Sequence, residues 1–189
     1  VTDMLEADAI ISQMAEQARD AQAVLGRAEA DSRNQALLQA AQLIRQNSQQ
    51  IKTANQKDRE HGRQTDLTDA FIDRLTLKAD RIEAMATGLE DIAALDDPLG
   101  VELARWTRPN GLDISRISTA LGVIGVIYES RPNVTVDAAG LCIKSGNAVI
   151  LRGGSDSYHT SQLLSSLMQQ GLIRAGLPQA AIQSVPSPD

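Results

Sequence analysis

The sequence predicts an α/β protein in which a helical N-terminal part precedes the first strands of a doubly wound, Rossmann-like parallel sheet. Three observations carry this prediction. Apolar residues recur at helical spacing as far as about Leu95. Beyond Asp97-Pro98, two apolar β-branched runs (residues 122–128 and 148–151) alternate with helix-length segments, which is the strand–helix–strand pattern of a parallel sheet. Each run ends in a polar loop, and in open α/β sheets ligands bind at the carboxyl ends of the strands.

Composition narrows the class. The 189 residues are 42% hydrophobic and 22% charged, as in a folded globular domain. Aromatics make up only 2%, so the core has to be built from Leu, Ile, Val and Ala. A net charge of -6 leaves no positive surplus to neutralise phosphates, which excludes a nucleic-acid partner. No apolar run has the length of a membrane span, and the N-terminus lacks the form of a signal peptide. The single cysteine excludes an internal disulfide and fits a reducing, cytoplasmic setting.

The first helix carries Leu5, Ile10, Ile11, Met14, Ala15, Ala18, Ala21 and Leu25 at helical spacing, with Gly26 as its stop. Asp31 or Ser32 is the expected cap of a second helix, whose apolar face is Leu37, Leu38, Ala41 and Ile44 with Arg45 at its end. A third, more polar helix covers residues 49–60. A fourth covers residues 78–95, with Ile82, Met85, Leu89 and Ile92 along one side. These stripes read as core packing, and no chemistry is assigned to this half.

The second half opens with a hairpin. Pro109-Asn110-Gly111 lies between two short alternating stretches and calls for positive φ at Asn110 or Gly111. Residues 122–128 then read as a strand buried on both faces. A helix over residues 134–144, ended by Ser145-Gly146-Asn147, leads to a second buried strand at residues 148–151. A second helix-length segment (157–175) stops at Gly176-Leu177-Pro178, and a short strand at 182–185 precedes a Pro186-Ser187-Pro188-Asp189 tail. Three parallel strands have two open edges and little core, so the chain reads as a truncated sheet.

Two loops carry the chemistry. In Arg152-Gly153-Gly154-Ser155 the glycines allow close backbone approach and Arg152 brings a fork suited to phosphate. The following helix start offers N–H groups to an anion. The same residues also fit a plain tight turn with a solvent-facing arginine, and no G-x-G-x-x-G is present. The loop Glu129-Ser130-Arg131-Pro132-Asn133 packs an acid, a hydroxyl, a guanidinium and an amide directly after a strand. Its amide can stabilise an oxyanion and its arginine can hold a carboxylate or phosphate. The plain alternative is a polar turn with Asn133 capping the next helix.

The strings YESRPN and ILRGGS, with the Trp106–Gly111 hairpin and Ala175-Gly-Leu-Pro178, closely resemble the γ-glutamyl phosphate reductases (glutamate-5-semialdehyde dehydrogenases) of the aldehyde dehydrogenase superfamily. The resemblance implies an aldehyde dehydrogenase-like fold. It also implies NADPH-dependent reduction of L-glutamyl 5-phosphate to glutamate 5-semialdehyde and phosphate, in proline biosynthesis. In that chemistry a cysteine thiolate attacks the acyl phosphate, phosphate leaves, and hydride reduces the thioester.

Carried over by position, Arg152 matches the superfamily lysine that holds the adenosine ribose. Ser155 stands where NAD-dependent relatives carry an acid, which favours the extra phosphate of NADPH. Glu129, Arg152, Gly153, Gly154 and Ser155 form the expected cofactor set, and Ser130 and Arg131 the substrate set. Asn133 is the oxyanion candidate, with Arg131 as the other residue for that place. The family's nucleophilic cysteine is expected outside this chain, which is then an inactive N-terminal fragment. Cys142 reads as core, and His61 and His159 form no metal site.

The expected organisation is a helical part of the cofactor-binding domain (1–98), a hairpin suited to oligomerisation (99–118), and half of an NADPH-binding sheet (119–189). The resemblance further implies a homo-oligomer when full length and coupling to glutamate 5-kinase, which would supply the acyl phosphate. Two other readings are a stand-alone nucleotide-binding module and a helical interaction protein that uses the Leu37/Leu38/Ile44 face.

Overall fold

The computed structural model describes residues 2–186, with side chains from residue 7 onward. Leu5 as a packing residue and the last three residues of the predicted tail lie outside the described residues. Five helices come first: α1 (Thr2–Leu25), α2 (Ala30–Gln46), α3 (Ser48–Gln64), α4 (Asp69–Leu75) and α5 (Ala79–Ala94). A hairpin follows, β1 (Glu102–Thr107) with β2 (Asp113–Ile117), and then β3 (Val123–Ile127), α6 (Pro132–Lys144), β4 (Ala148–Arg152), α7 (Tyr158–Arg174) and β5 (Ile182–Ser184).

The strands β3, β4 and β5 form a parallel sheet in that order. Both crossovers run the same way along the sheet, and right-handed connections therefore place α6 and α7 on one face. Side-chain contacts agree. Gln162 of α7 donates to Ser184 Oγ at 3.1 Å, while Gln183 donates across the other face to the Met14 carbonyl of α1 at 2.8 Å. Because side chains alternate along a strand, Val149, Leu151 and Ile182 point toward α6 and α7, and Ile150 points toward α1.

The strand predicted to be buried on both faces is half open. β3 is an outer strand of this sheet, with Val123 39% and Ile127 87% exposed, while Ile124 and Val126 pack on the core. Helix α1 lies mainly over β4 and leaves the outward residues of β3 uncovered. A continuous apolar run thus reports the potential for two covered faces, and the layers present decide how many are covered.

The core is one cluster that runs from Ala18 and Leu25 through Leu37, Ile44, Leu89 and Ile143 to Leu151, Leu172 and Ile182. Helix α2 lies between α5 and α7, with Leu37 and Ile44 fully buried and Leu38 38% exposed. That removes the Leu37/Leu38/Ile44 face as a surface for a partner. In α1, Ile10 and Ile11 lie outside the core although they continue its stripe. Helix α2 is capped at Glu29 rather than Asp31 or Ser32, because helical geometry already begins at Ala30 and Asp31 sits in the first turn. Helix α4 was not foreseen: Thr68 Oγ1 accepts from the Phe71 N–H and starts a helix too short for an apolar stripe.

Polar side chains lock the helical half to the sheet. Arg33 donates to the Lys144 carbonyl at 2.6 Å and to Asp97 Oδ2 at 2.7 Å, and Lys144 Nζ donates to Asn34 and to the Ala93 carbonyl. The last turn of α6 is thereby held by α2 and by the segment after α5. In the hairpin, the turn closes through Arg108 N–H to the Leu112 carbonyl at 2.8 Å, and the positive φ falls on Gly111 (83°).

Candidate functional site

The loop after β3 is pinned at its start, where the Tyr128 N–H donates to the Arg152 carbonyl at 3.1 Å and extends the ladder by one residue. The Tyr128 hydroxyl meets Thr135 Oγ1 at 2.7 Å. A tight turn follows, with the Arg131 N–H on the Glu129 carbonyl at 2.6 Å. This turn sends neighbouring side chains to opposite sides. Ser130 is buried and donates to Asp156 Oδ2 at 3.0 Å, in the loop after β4. Arg131 stays exposed, with Nε 3.4 Å from Glu129 Oε2.

Helix α6 starts at Pro132, two residues earlier than predicted, because proline at the first helical position is already set for helical φ. Its cap position is Arg131, so Asn133 is not a cap. Asn133 lies inside the first turn and donates from Nδ2 to Asp137 Oδ2 at 3.1 Å. Desolvation against the surrounding wall raises the Asp137 carboxyl above its ordinary value, and the Asn133 hydrogen bond offsets this only in part.

The loop after β4 is held tightly against the first. Arg152 ends β4 and donates to the Gly153 carbonyl. Tyr128 and Ser130 leave no room beside the next two residues: a Cβ on Gly153 would lie 3.0 Å from the Tyr128 ring, and one on Gly154 would lie 2.2 Å from Ser130 Oγ. Residues Ser155–Ser157 form a 3₁₀ turn leading into α7. Ser155 is exposed, while the neighbouring Asp156 accepts from Ser130. A shallow recess at this point is lined by Arg152, Gly153, Gly154, Gln162 and Ser184, among others.

The N–H groups at the start of α7 were expected to face an anion. They do not. Asp58 of α3, 2% exposed, accepts from the His159 N–H at 3.0 Å, from the Thr160 N–H at 2.8 Å and from the Thr160 hydroxyl. Burial pushes the Asp58 carboxyl above its ordinary value, against the pull of those hydrogen bonds. An acid inserted from α3 thus takes the place that an anionic ligand would need. The Arg152 guanidinium and the exposed Ser155 hydroxyl stand on this loop, with no acid at position 155. That donor set suits a phosphate-bearing ligand.

On the other side of the Glu129–Asn133 turn lies an open pocket of about 490 Å³. Its walls are Arg131, Asn133 and Asp137 from the start of α6, Arg74 and Leu77 from α4 and the segment after it, and Arg81, Ala84 and Met85 from α5. Three guanidinium groups face one carboxyl, in a chain whose net charge is -6. Sequence reasoning missed Arg74, Arg81 and Asp58. All three sit on helices whose pattern speaks only of packing, and the partners of Asp58 lie about a hundred residues away in sequence. Cys142 is buried in α6 and desolvation pushes its thiol up to about 11, as expected of a packing residue.

Comparison with known proteins gives this geometry a context. Residues 4–189 match the aldehyde dehydrogenase family. The chain is 57% identical over 172 residues to the γ-glutamyl phosphate reductase of Rhodospirillum rubrum, and 52% identical over 182 residues to that of Paramagnetospirillum magneticum. Those alignments cover 91% and 96% of this chain but 40% and 43% of the relatives, so the chain spans less than half the length of the curated relatives it matches. The γ-glutamyl phosphate reductase structure from Thermotoga maritima superposes with a TM-score of 0.91 at 34% identity, covering 94% of this chain and 43% of that one. The Saccharomyces cerevisiae enzyme gives a TM-score of 0.87 at 31% identity, covering 93% of this chain and 46% of that one.

Proposed function

The chain belongs to the aldehyde dehydrogenase family, and on that premise we propose that it supplies the cofactor-binding loop and a substrate pocket wall of an NADPH-dependent L-glutamyl 5-phosphate reductase. The products are glutamate 5-semialdehyde and phosphate, in proline biosynthesis. One observation carries the reading: the turn at Glu129–Asn133 presents Ser130 to the Arg152–Ser155 loop and Arg131 with Asn133 to the arginine-lined pocket. A cofactor on one side and an acyl substrate on the other would therefore meet at this turn. The relatives named above support the same assignment.

When bound, NADPH supplies the hydride. This chain's residues do the positioning. Arg152 and Ser155 would hold the 2′-phosphate that distinguishes NADPH from NADH, while Gly153 and Gly154 let their loop close against Tyr128 and Ser130 and would meet the cofactor through their backbone. Glu129, at the start of the same turn, would meet the cofactor, with the Arg131 Nε 3.4 Å from its carboxylate. Arg131 serves the substrate side, and Ser130, packed against Gly154 and Asp156, joins that side to the cofactor loop. Either the Asn133 amide or the Arg131 guanidinium donates to the oxygen that becomes negative as the acyl carbon turns tetrahedral. Cys142, the single cysteine, is buried with a raised thiol pKa and is unsuited to attack, so the reading takes its nucleophile from elsewhere in the enzyme and these 189 residues bind without turnover.

The same reading divides the chain into a helical part (1–98), a hairpin (99–118) and the cofactor sheet (119–189). Trp106, Leu103 and Ile117 on the hairpin are 44%, 55% and 53% exposed, which suits a contact between copies in a homo-oligomer. The setting is cytoplasmic, and none of the described helices is long and apolar enough to cross a membrane. Glutamate 5-kinase would supply the labile acyl phosphate, which favours functional coupling.

Fluorescence titration of the purified chain with NADPH and NADH tests the assignment. NADPH is expected to bind about tenfold more tightly, the worth of one charge-assisted contact, and Arg152→Ala should erase the difference. Equal binding of the two cofactors to the unaltered chain would overturn it.

A further inference from the structure

The arginine pocket has two walls of different origin. Arg131 and Asn133 share the turn that also carries Ser130, which packs against the cofactor loop, so this wall faces the reacting end of any substrate. Arg74 and Arg81 come from α4 and α5, and among the described residues their hydrogen bonds and ring contact stay within the α4–α5 region. We propose that Arg74 and Arg81 bind the α-carboxylate of an acidic amino-acid substrate, and so select for the amino-acid end that does not react. The proposal rests on the reductase reading above and adds a recognition site in the helical half.

Geometry favours these two side chains for the task. Arg81 Nη1 donates to the carbonyls of Asp73 at 2.7 Å and Thr76 at 2.9 Å, which fixes the guanidinium between the end of α4 and the start of α5. Its remaining contact is a long 3.4 Å approach of Nη2 to the exposed Asp73 carboxylate, so Nε and the outer N–H groups are available to a ligand. Arg74 lies 5.0 Å over the Phe71 ring, a contact that orients its plane while using none of its hydrogen-bond donors. No ion pair engages Arg74 among the described residues. Two pre-oriented forks of this kind suit a planar carboxylate better than a lone lysine would. Leu77, Ala84 and Met85 provide the apolar floor for the methylene chain. With the acyl carbon at Arg131 and Asn133, the carbon skeleton of a glutamyl group runs along this floor toward α4 and α5.

The test follows the side-chain Nε–Hε resonances of Arg74 and Arg81 in the ¹⁵N-labelled chain during titration with three probes. L-glutamate, the hydrolysed form of the substrate, is expected to shift both. 4-Aminobutyrate keeps the distal carboxylate but lacks the α-carboxylate, and should bind about tenfold more weakly or more. Arg74→Gln, at an exposed position, should lower L-glutamate affinity about tenfold and leave NADPH affinity unchanged. Equal binding of 4-aminobutyrate, the absence of any shift, or an equal response to inorganic phosphate alone would each overturn the assignment. Failure here is separable from failure of the reductase reading: the former loses glutamate selectivity with NADPH preference intact, and the latter loses the NADPH preference itself.

Discussion

Gly154 and Ser130 touch where no side chain fits: a Cβ on Gly154 would lie 2.2 Å from Ser130 Oγ and 2.9 Å from its backbone nitrogen. The loops after β3 and β4 are thus fitted to each other, and Ser130 completes the join by donating to Asp156. Gly154→Ala forces the loops apart. It should cost about 1–3 kcal/mol in urea denaturation, the range for overpacking, and weaken NADPH binding. Adding Ser130→Gly removes the nearest clashing atom and should restore part of the loss. Full cofactor binding by Gly154→Ala alone would show that the loops tolerate separation.

Asp58 caps a helix from a distance. Its carboxylate accepts from the His159 and Thr160 N–H groups at the start of α7 although it belongs to α3. Asp58→Ala leaves these buried donors without a partner and should destabilise the fold by about 1–2 kcal/mol. The readout is the denaturation midpoint. Asp58→Glu, which is one methylene too long for the site, should recover little of it.

Acid stability depends on Asp97. Burial alone would raise its carboxyl, but the Leu99 N–H, the Arg33 guanidinium and the nearby Lys144 charge together hold it below the ordinary range. A depressed folded pKa adds stability that is complete above the unfolded value of about 3.9 and is lost as pH falls through the folded value. Asp97→Asn should therefore lower stability at pH 7 by about 2 kcal/mol, because Arg33 stays buried without its counter-charge. The gap from the unaltered chain should close below pH 4. Parallel curves across pH 2–7 would contradict this role.

Cys142 should resist alkylation. With the thiol pushed up to about 11 and buried, iodoacetamide at pH 8 is expected to leave the folded chain unlabelled and to modify it fully in denaturant, as read by mass spectrometry. Rapid labelling of the folded chain would show that α6 opens.

Much of the fold was legible because its signals are local. Helical spacing marked α1, α2 and α5, the Pro109-Asn110-Gly111 turn marked the hairpin, and β-branched runs between helix-length segments marked the parallel strands in order. Boundaries moved where one residue outweighed the pattern, as where Pro132 started α6 early. Helix α4 escaped because seven residues cannot display a stripe. The candidate loops were legible as well, since glycines beside an arginine after a buried strand are a local arrangement.

The sequence by itself determined the segments that become helices and strands, α4 excepted, the parallel character of the sheet, and the two polar loops at its strand ends, since all of these follow from periodicity and turn chemistry within short windows. Tertiary structure alone decided that Asp58 occupies the start of α7, that β3 keeps one face open, and that Arg74 and Arg81 join Arg131 around one pocket. Those outcomes depend on which helix packs where, and that is set by burial of a shared core among residues far apart in the chain.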